Sequence, residues 1–419
     1  MMNDIYDWVI IGGGIAGIAI AEVLSRNNKK VKIVEKSNKL SSETTREFHE
    51  WVHTGSLYTL KFGQQEIQKT MLGALDDIFL YYSSFKNMNL KQTANGLAIK
   101  TQNQSSDWFK DEKIYFKYKI KGRKLNILWM YRVARSIVSI ELVKEHNWLR
   151  YQGGSKRIKL SPIKVLLQLI KLFKHKPELY TIDSSDFTSN SRNILNDLYQ
   201  NSLSRGLTVS FNNQFKSFEE KNEIINVLCS KENFTTKNLV LCNGKNIADI
   251  FVSKIKTSYA PMLITEGIPS SQAPYVELDD QEENCINYLG KANNIGLMGG
   301  ISFDSKEMCE NYFKMLISKL KKLWPTSKVL HQYVGEKNEL VPDESPRNYQ
   351  YFIWKRKNKN IWATIPGKFS LFPSLATEFY RRKYLNNTIK VHEDYSTKEV
   401  YNSNKSDISD IIWNEFNLK

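Results

Sequence analysis

Residues 9–17 constrain this chain more than any other stretch: they read VIIGGGIAG. Residues 7–11 are apolar from Trp8 onward and bounded by glycine, which predicts a short buried strand. Residues 15–26 carry apolar and small side chains at helical spacing, and 31–35 predict a second strand. Gly12, Gly14 and Gly17 then satisfy G-x-G-x-x-G inside a strand–helix–strand unit. Each glycine has a physical task. Gly12 permits the tight turn off the strand. Gly14 lets the backbone approach a pyrophosphate where a Cβ would stand in the way. Gly17 lets the helix pack closely on the strand. Gly13, Ile15 and Ala16 supply the rest of the loop, and the helix N-terminus offers free N–H groups and a positive dipole end to phosphate. Glu35 ends the second strand, followed by Lys36, at the place where a carboxylate accepts from ribose hydroxyls. A glycine turn without a ligand is the alternative; the strand and helix on either side weigh against it.

Further along, residues 64–85 predict a helix on the pattern Ile67, Met71, Ala74, Leu75, Ile78. Residues 108–120 alternate, with Ile114, Phe116, Tyr118 and Ile120 on one face, as in a half-buried strand of another sheet. Residues 162–173 predict a strongly apolar helix with Lys164, Gln168 and Lys171 on a polar stripe. A helix over 188–205 ends at Gly206, and strands follow at 207–211 and 238–242. A helix over 305–324 stops at Pro325. Strands at 349–354 and 361–365 lead to Gly367 and a last long helix from about Leu371.

The chain carries 60 basic and 44 acidic residues, a net +16. The surplus is local: residues 110–176 hold 18 basic and four acidic residues, and the remainder 42 and 40. One basic segment therefore faces an anionic small molecule, surface or polymer, while the rest is near neutral. Cys229, Cys242, Cys285 and Cys309 show no C-x-x-C spacing and no histidine cluster, so no metal site and no disulfide framework is expected, and a reducing cytoplasm is the expected location. The longest uncharged apolar-rich run, 8–21, falls short of the ~18–20 residues that span a bilayer. Asp4 and Asp7 precede it where an export signal carries basic residues. No integral membrane segment is expected.

VIIGGGIAG, VKIVEK and SSETTREFHEWVHTGSLYTL together resemble the D-amino-acid-oxidase-like (DAO) family of FAD-dependent oxidoreductases. The resemblance implies an α/β fold: a Rossmann-like FAD-binding domain interleaved with a mostly antiparallel-sheet α+β substrate domain. It implies FAD-binding parts at 1–85, 180–255 and 340–400 and substrate-domain parts at 86–179 and 256–339; the polar composition of 401–419 predicts a tail that packs loosely. In that family a loop after the second strand contacts FAD through small hydroxyl residues and a basic one; Thr44, Thr45 and Arg46 stand there. TIDSSDF, the helix to Gly206 and LTVSFNN resemble the family's third-strand region. NLVLCNGKNIADIF resembles its strand-then-glycine segment, with Asn243-Gly244 in place of the usual pair. PMLITEG resembles the strand returning into the substrate domain, and YVGEKNELVPDESPR a segment in which Lys337 replaces a commoner arginine. IWATIPGKFSLFPSLA resembles the closing strand, glycine loop and helix that face the flavin, which implicates Gly367, Lys368, Ser370 and Leu371. A helix start after a glycine loop stabilises negative charge on a reduced flavin ring, and Lys368 either adds to it or is a solvated loop lysine.

His53, in a His-x-Gly like that of the hydroxyacid members, is the leading candidate for general base. A structural histidine and a covalent flavin link are the other readings; the link lacks the flanking small residues of the branch that makes it, so FAD is expected to be non-covalent. His49, four residues earlier, is a neighbour or simply exposed. Arg132 and Arg135 are candidate clamps for a substrate carboxylate, or part of a solvated basic face. Tyr58 and Tyr259 are candidate pocket residues. The leading function is oxidation of a C–N or C–O bond of a small anionic substrate of amino-acid or 2-hydroxy-acid type, with O2 or quinone accepting the electrons. A nucleic-acid-associated flavoprotein is the second class and the less favoured one. A dehydrogenase peripheral to the inner membrane face, anchored by helix 162–173, is the third; burial of that helix in the substrate domain is the favoured alternative to an anchor.

Overall fold

The structure, a computed structural model, describes residues 5–55, 65–93, 96–99, 105–119, 163, 166–167, 170, 179–251, 255–279, 285–340, 350–385 and 407–416. Trp8–Ile11 has no charged side chain and is buried throughout. Such a strand is stable only inside a sheet covered on both faces. It pairs in parallel with Val31–Val34 on one side and Leu239–Leu241 on the other. The whole sheet runs Phe352–Lys355, Ile361–Ile365, Leu239–Leu241, Trp8–Ile11, Val31–Val34, Thr208–Ser210. Only the edge strand Phe352–Lys355 is antiparallel.

Helix α1 (Ile15–Arg26) is buried along its full length. Even its Glu22–Arg26 pair is inside, at 3.0 Å. Further hydrogen bonds offset part of the cost of burying such a pair. Asn201 Nδ2 donates to Glu22 at 2.7 Å, Arg26 donates to the Tyr81 carbonyl at 2.5 Å, and its guanidinium lies over the Tyr82 ring. Helix α2 (Gln65–Tyr82) turns Ile67, Met71, Ala74, Leu75 and Ile78 inward, the face its periodicity requires.

The second sheet has eight strands in the order Lys328–Leu340, Ile255–Glu266, Ile295–Gly299, Cys285–Gly290, Tyr275–Asp279, Phe109–Lys119, Leu179–Ser189, Trp51–Val52. Every pairing but one is antiparallel; Tyr275–Asp279 runs parallel to Phe109–Lys119. Helix α3 (Ser191–Leu203) packs on α1 beside the parallel sheet, whereas α4 (Glu307–Leu323) packs on the antiparallel sheet through Cys309, Tyr312, Phe313, Leu316 and Leu320. Helix α5 (Phe372–Lys383) packs on α1 from the other side. The architecture is thus the expected α/β one, with a parallel sheet and a mostly antiparallel one.

Three expectations need correction. The helix expected from 188 starts at Ser191, because Leu179–Ser189 is a strand and Asn190 caps the helix by accepting from the Asn193 N–H at 3.1 Å. TIDSSDF therefore belongs to the antiparallel sheet, and Thr208–Ser210 is the strand that extends the parallel one. Its inward face is polar: Ser184, Asp186 and Thr188 are all buried, and each is hydrogen-bonded. That hides the strand from a hydrophobic-pattern reading. Second, the apolar helix expected over 162–173 is not buried at the positions described: Ile163, Leu166, Leu167 and Ile170 are helical and exposed.

Third, the end of the tail is packed. Asp407 and Ser409 bracket Leu40 in two backbone hydrogen bonds of 2.7 and 2.8 Å. Ile411 and Trp413 join Met262, Ile264, Ile295 and Leu297 in one apolar cluster. Polar composition misled because the few apolar residues of this segment are the ones used. Ending the chain at residue 406 will uncover Leu40 and this cluster, and we expect the melting temperature to fall by about 5 °C or more. An unchanged melting curve would show the segment to be dispensable.

Candidate active site

The carboxyl ends of Trp8–Ile11, Leu239–Leu241 and Ile361–Ile365 open into a cavity of about 870 Å³ that reaches the antiparallel sheet at Cys285, Asn287, Lys337 and Glu339. Ligands of open α/β sheets bind at such carboxyl edges. At the parallel-sheet end the glycine loop turns as the motif requires. Gly12 has φ +98°, and a Cβ there would stand 2.9 Å from the Cys242 carbonyl oxygen. Gly14 caps α1 without a side chain, and the Ile15 N–H donates to Thr45 Oγ1 at 3.2 Å. Glu35 is pinned, one carboxylate oxygen accepting from the Gly13 N–H at 2.8 Å and the other from the Ser37 N–H at 2.9 Å. Each oxygen keeps further lone-pair capacity at the cavity wall.

Gly13, Ala16, Lys36, Asn243, Gly244, Gly367, Lys368 and Ser370 also line the cavity. Lys36 pairs with Glu43 at 2.5 Å, and Thr44, in the one-turn helix Thr44–Glu47, donates to the Glu336 carbonyl at 2.8 Å. Three candidates stand behind the lining. Gly17 packs under Gly12; Arg46 pairs with Glu415; Leu371 is buried among Ile67, Met71 and Ala74. Tyr259 packs near helix α4 rather than on the cavity. Arg132, Arg135 and Tyr58 lie outside the described residues.

The other end is built on His53. Strand Trp51–Val52 pairs with Phe187 and Thr188, so its register sets residue 53 beside residue 186. His53 Nδ1 lies 3.1 Å from Asp186 Oδ2. Asp186 Oδ1 accepts from the Thr54 N–H at 2.8 Å and from the Thr54 hydroxyl at 2.7 Å. Sequence reasoning missed Asp186; the signal was a carboxylate on the inward face of a strand, where only a paired charge is stable. Burial, reinforced by the Lys368 charge, holds the His53 imidazole below the ordinary histidine range, and the Asp186 carboxylate opposes that shift. Burial and the Lys337 charge push His49 down to about 3, so it is neutral. The same two causes bring the Lys368 ammonium down to about 7.

Among the described residues, four buried polar atoms of the lining have no hydrogen-bond partner: Asn243 Oδ1, His49 Nε2, Trp51 Nε1 and Glu339 Oε1. Orphaned buried groups are rare and costly. They stand at both ends of one cavity whose glycine loop admits phosphate. That fits a long ligand with polar groups along its length, as a dinucleotide has.

A parallel sheet with a phosphate loop at its carboxyl edge, sharing a cavity with a histidine–carboxylate pair on an antiparallel sheet, defines a dinucleotide-dependent enzyme. The family model of FAD dependent oxidoreductases matches residues 7–364, and the chain belongs to that family. Solved structures of the same fold include L-proline dehydrogenase from P. horikoshii, 15% identical, covering 93% of this chain and 96% of that one at a TM-score of 0.60. Glycine oxidase from Geobacillus kaustophilus is 11% identical, covering 93% and 99% at a TM-score of 0.59. The dithionite-reduced L-α-glycerophosphate oxidase of Mycoplasma pneumoniae with FAD bound is 15% identical, covering 94% and 97% at a TM-score of 0.61. No curated protein matches the chain by sequence. The protein is an FAD-dependent oxidoreductase.

Proposed function

We propose that the enzyme oxidises a C–N or C–O bond of a small anionic substrate of amino-acid or 2-hydroxy-acid type, with FAD held non-covalently and O2 or quinone as the final electron acceptor. The observation that carries this reading is the His53–Asp186 pair in a cavity that also holds Lys337 and Lys368. Bound FAD supplies the hydride acceptor. The chain supplies the base, the charge and the shape. Asp186 accepts the Nδ1–H and so leaves His53 Nε2 as the lone-pair nitrogen, ready for the proton of a substrate hydroxyl or amine. Burial keeps that imidazole neutral at pH 7. Lys337, whose Nζ lies 4.4 Å over the Phe48 ring, and Lys368 bring positive charge for a substrate carboxylate. An anion beside Lys368 favours its protonated form and lifts it from about 7.

The test is anaerobic mixing of the yellow holoenzyme with amino acids of both hands and 2-hydroxy acids, and with uncharged amines and alcohols. Bleaching at 450 nm by an anionic member is the expected result. Bleaching by none of them, or only by uncharged amines and alcohols, overturns the substrate class. Acid precipitation gives the attachment: non-covalent flavin stays in the supernatant, whereas a yellow pellet means a covalent link.

A further inference from the structure

Outside the active site, the described chain leaves one large aliphatic face uncovered. Ile163, Leu166, Leu167 and Ile170 are helical and 70, 56, 60 and 47% exposed. Their spacing places all four on one side of a helix. Scattered exposed leucines need no explanation, but four aliphatic side chains on one helical face form a patch, and patches mark contact sites. The surrounding sequence says what makes the contact. Residues 156–176 contain Lys156, Arg157, Lys159, Lys164, Lys171, Lys174 and Lys176 and not one acidic residue.

We infer that this face seats in an anionic lipid surface, with the aliphatic side chains in the headgroup–acyl boundary and the basic residues among the lipid phosphates. The composition is that of a helix lying in the interface plane. Among the described residues no helix is long and apolar enough to cross a bilayer. A second copy of this chain is the poorer occupant, because two segments of net positive charge would meet. A nucleic acid would use the charge but gain nothing from the aliphatic face. The inference rests on residues apart from the flavin cavity and stands whether or not the substrate class proposed above is right.

The test is flotation of the holoprotein with vesicles of phosphatidylcholine alone and with about a third phosphatidylglycerol, at low and high salt. Each basic residue near an anionic surface adds about five-fold in affinity, so we expect the anionic vesicles to be preferred more than about tenfold, with the preference shrinking as salt rises. Leu166→Gln combined with Leu167→Gln removes two aliphatic groups from the face that meets the lipid and should weaken flotation by about a hundredfold. Both positions are exposed, so the 450 nm flavin spectrum and the melting curve should not change; a retained spectrum shows that lost flotation is not lost folding. The inference is overturned if neither vesicle binds, or if the double variant floats like the parent. It is equally overturned if the leucine pair governs a concentration-dependent dimer while vesicles are ignored, or if RNA binds in place of vesicles and is indifferent to the leucines.

Discussion

Gly17→Ala is expected to purify colourless. A Cβ at Gly17 would lie 2.0 Å from the Gly12 carbonyl oxygen, far inside contact distance and against backbone rather than a flexible side chain. Gly12 cannot retreat freely. Its N–H is bonded to the Val34 carbonyl at 2.9 Å, it already sits at φ +98°, and Cys242 closes its other side. Helix α1 must therefore move, and it is buried between α3 and α5. Shifting it takes the Gly14–Ile15 N-terminus away from Thr45 and with it the phosphate site. We expect flavin absorbance per chain to fall to near zero and stability to drop by about 3 kcal/mol, the upper end for overpacking. Gly73→Ala is the matched control: Gly73 is helical, a Cβ there meets nothing within 4 Å, and removing a helical glycine should stabilise by up to ~1 kcal/mol. A Gly17→Ala chain that stays yellow would show that the loop does not hold FAD as described.

What was legible in the sequence was what is local. The strand, glycine turn and helix at 8–26 show in one window because each residue's reason lies within a few neighbours. The same holds for α2, whose inward face follows from its own spacing. The His53–Asp186 contact spans 133 positions and depends on the register of Trp51–Val52 against Leu179–Ser189, which no window contains. The helix expected from 188 takes in the last two residues of that second strand, whose inward face is polar. Ile408 and Trp413 were hidden differently: a short segment with few apolar residues reads as tail until its partners, Leu40 and Met262, are brought to it by the rest of the fold. The exposed aliphatic face at 163–170 is the converse case. Periodicity reveals an apolar face but not whether the protein or something else covers it.

The His53–Asp186 pair makes a prediction with a sign. A general base works as neutral imidazole, so substrate oxidation should rise with pH up to the His53 pKa and level off above it. That limb should lie below the ordinary histidine value near 6.5, because burial and the Lys368 charge both disfavour the imidazolium. Asp186 acts the other way, stabilising the imidazolium by a hydrogen bond and by its charge. Asp186→Asn deletes that charge, so the acid limb must move further down in pH. The plateau should fall as well, by about 10²- to 10⁴-fold, because Asn can offer Nδ1 a donor in place of an acceptor and leave the lone pair on the wrong nitrogen. His53→Gln should lose a similar factor and show no acid limb from this group. Rapid-mixing flavin reduction between pH 5 and 9, with flavin content checked for each variant, measures all three curves. The two shifts separate a catalytic pair from a scaffold. If Asp186 only held the Thr54 backbone in place, its variant would lower the plateau and leave the limb where it was. The Asp186 charge raises Lys368 as well, so Asp186→Asn moves a Lys368 limb down too; what separates the two bases is His53→Gln, and an acid limb that survives in that variant would assign the titration to Lys368, which is brought down to about 7.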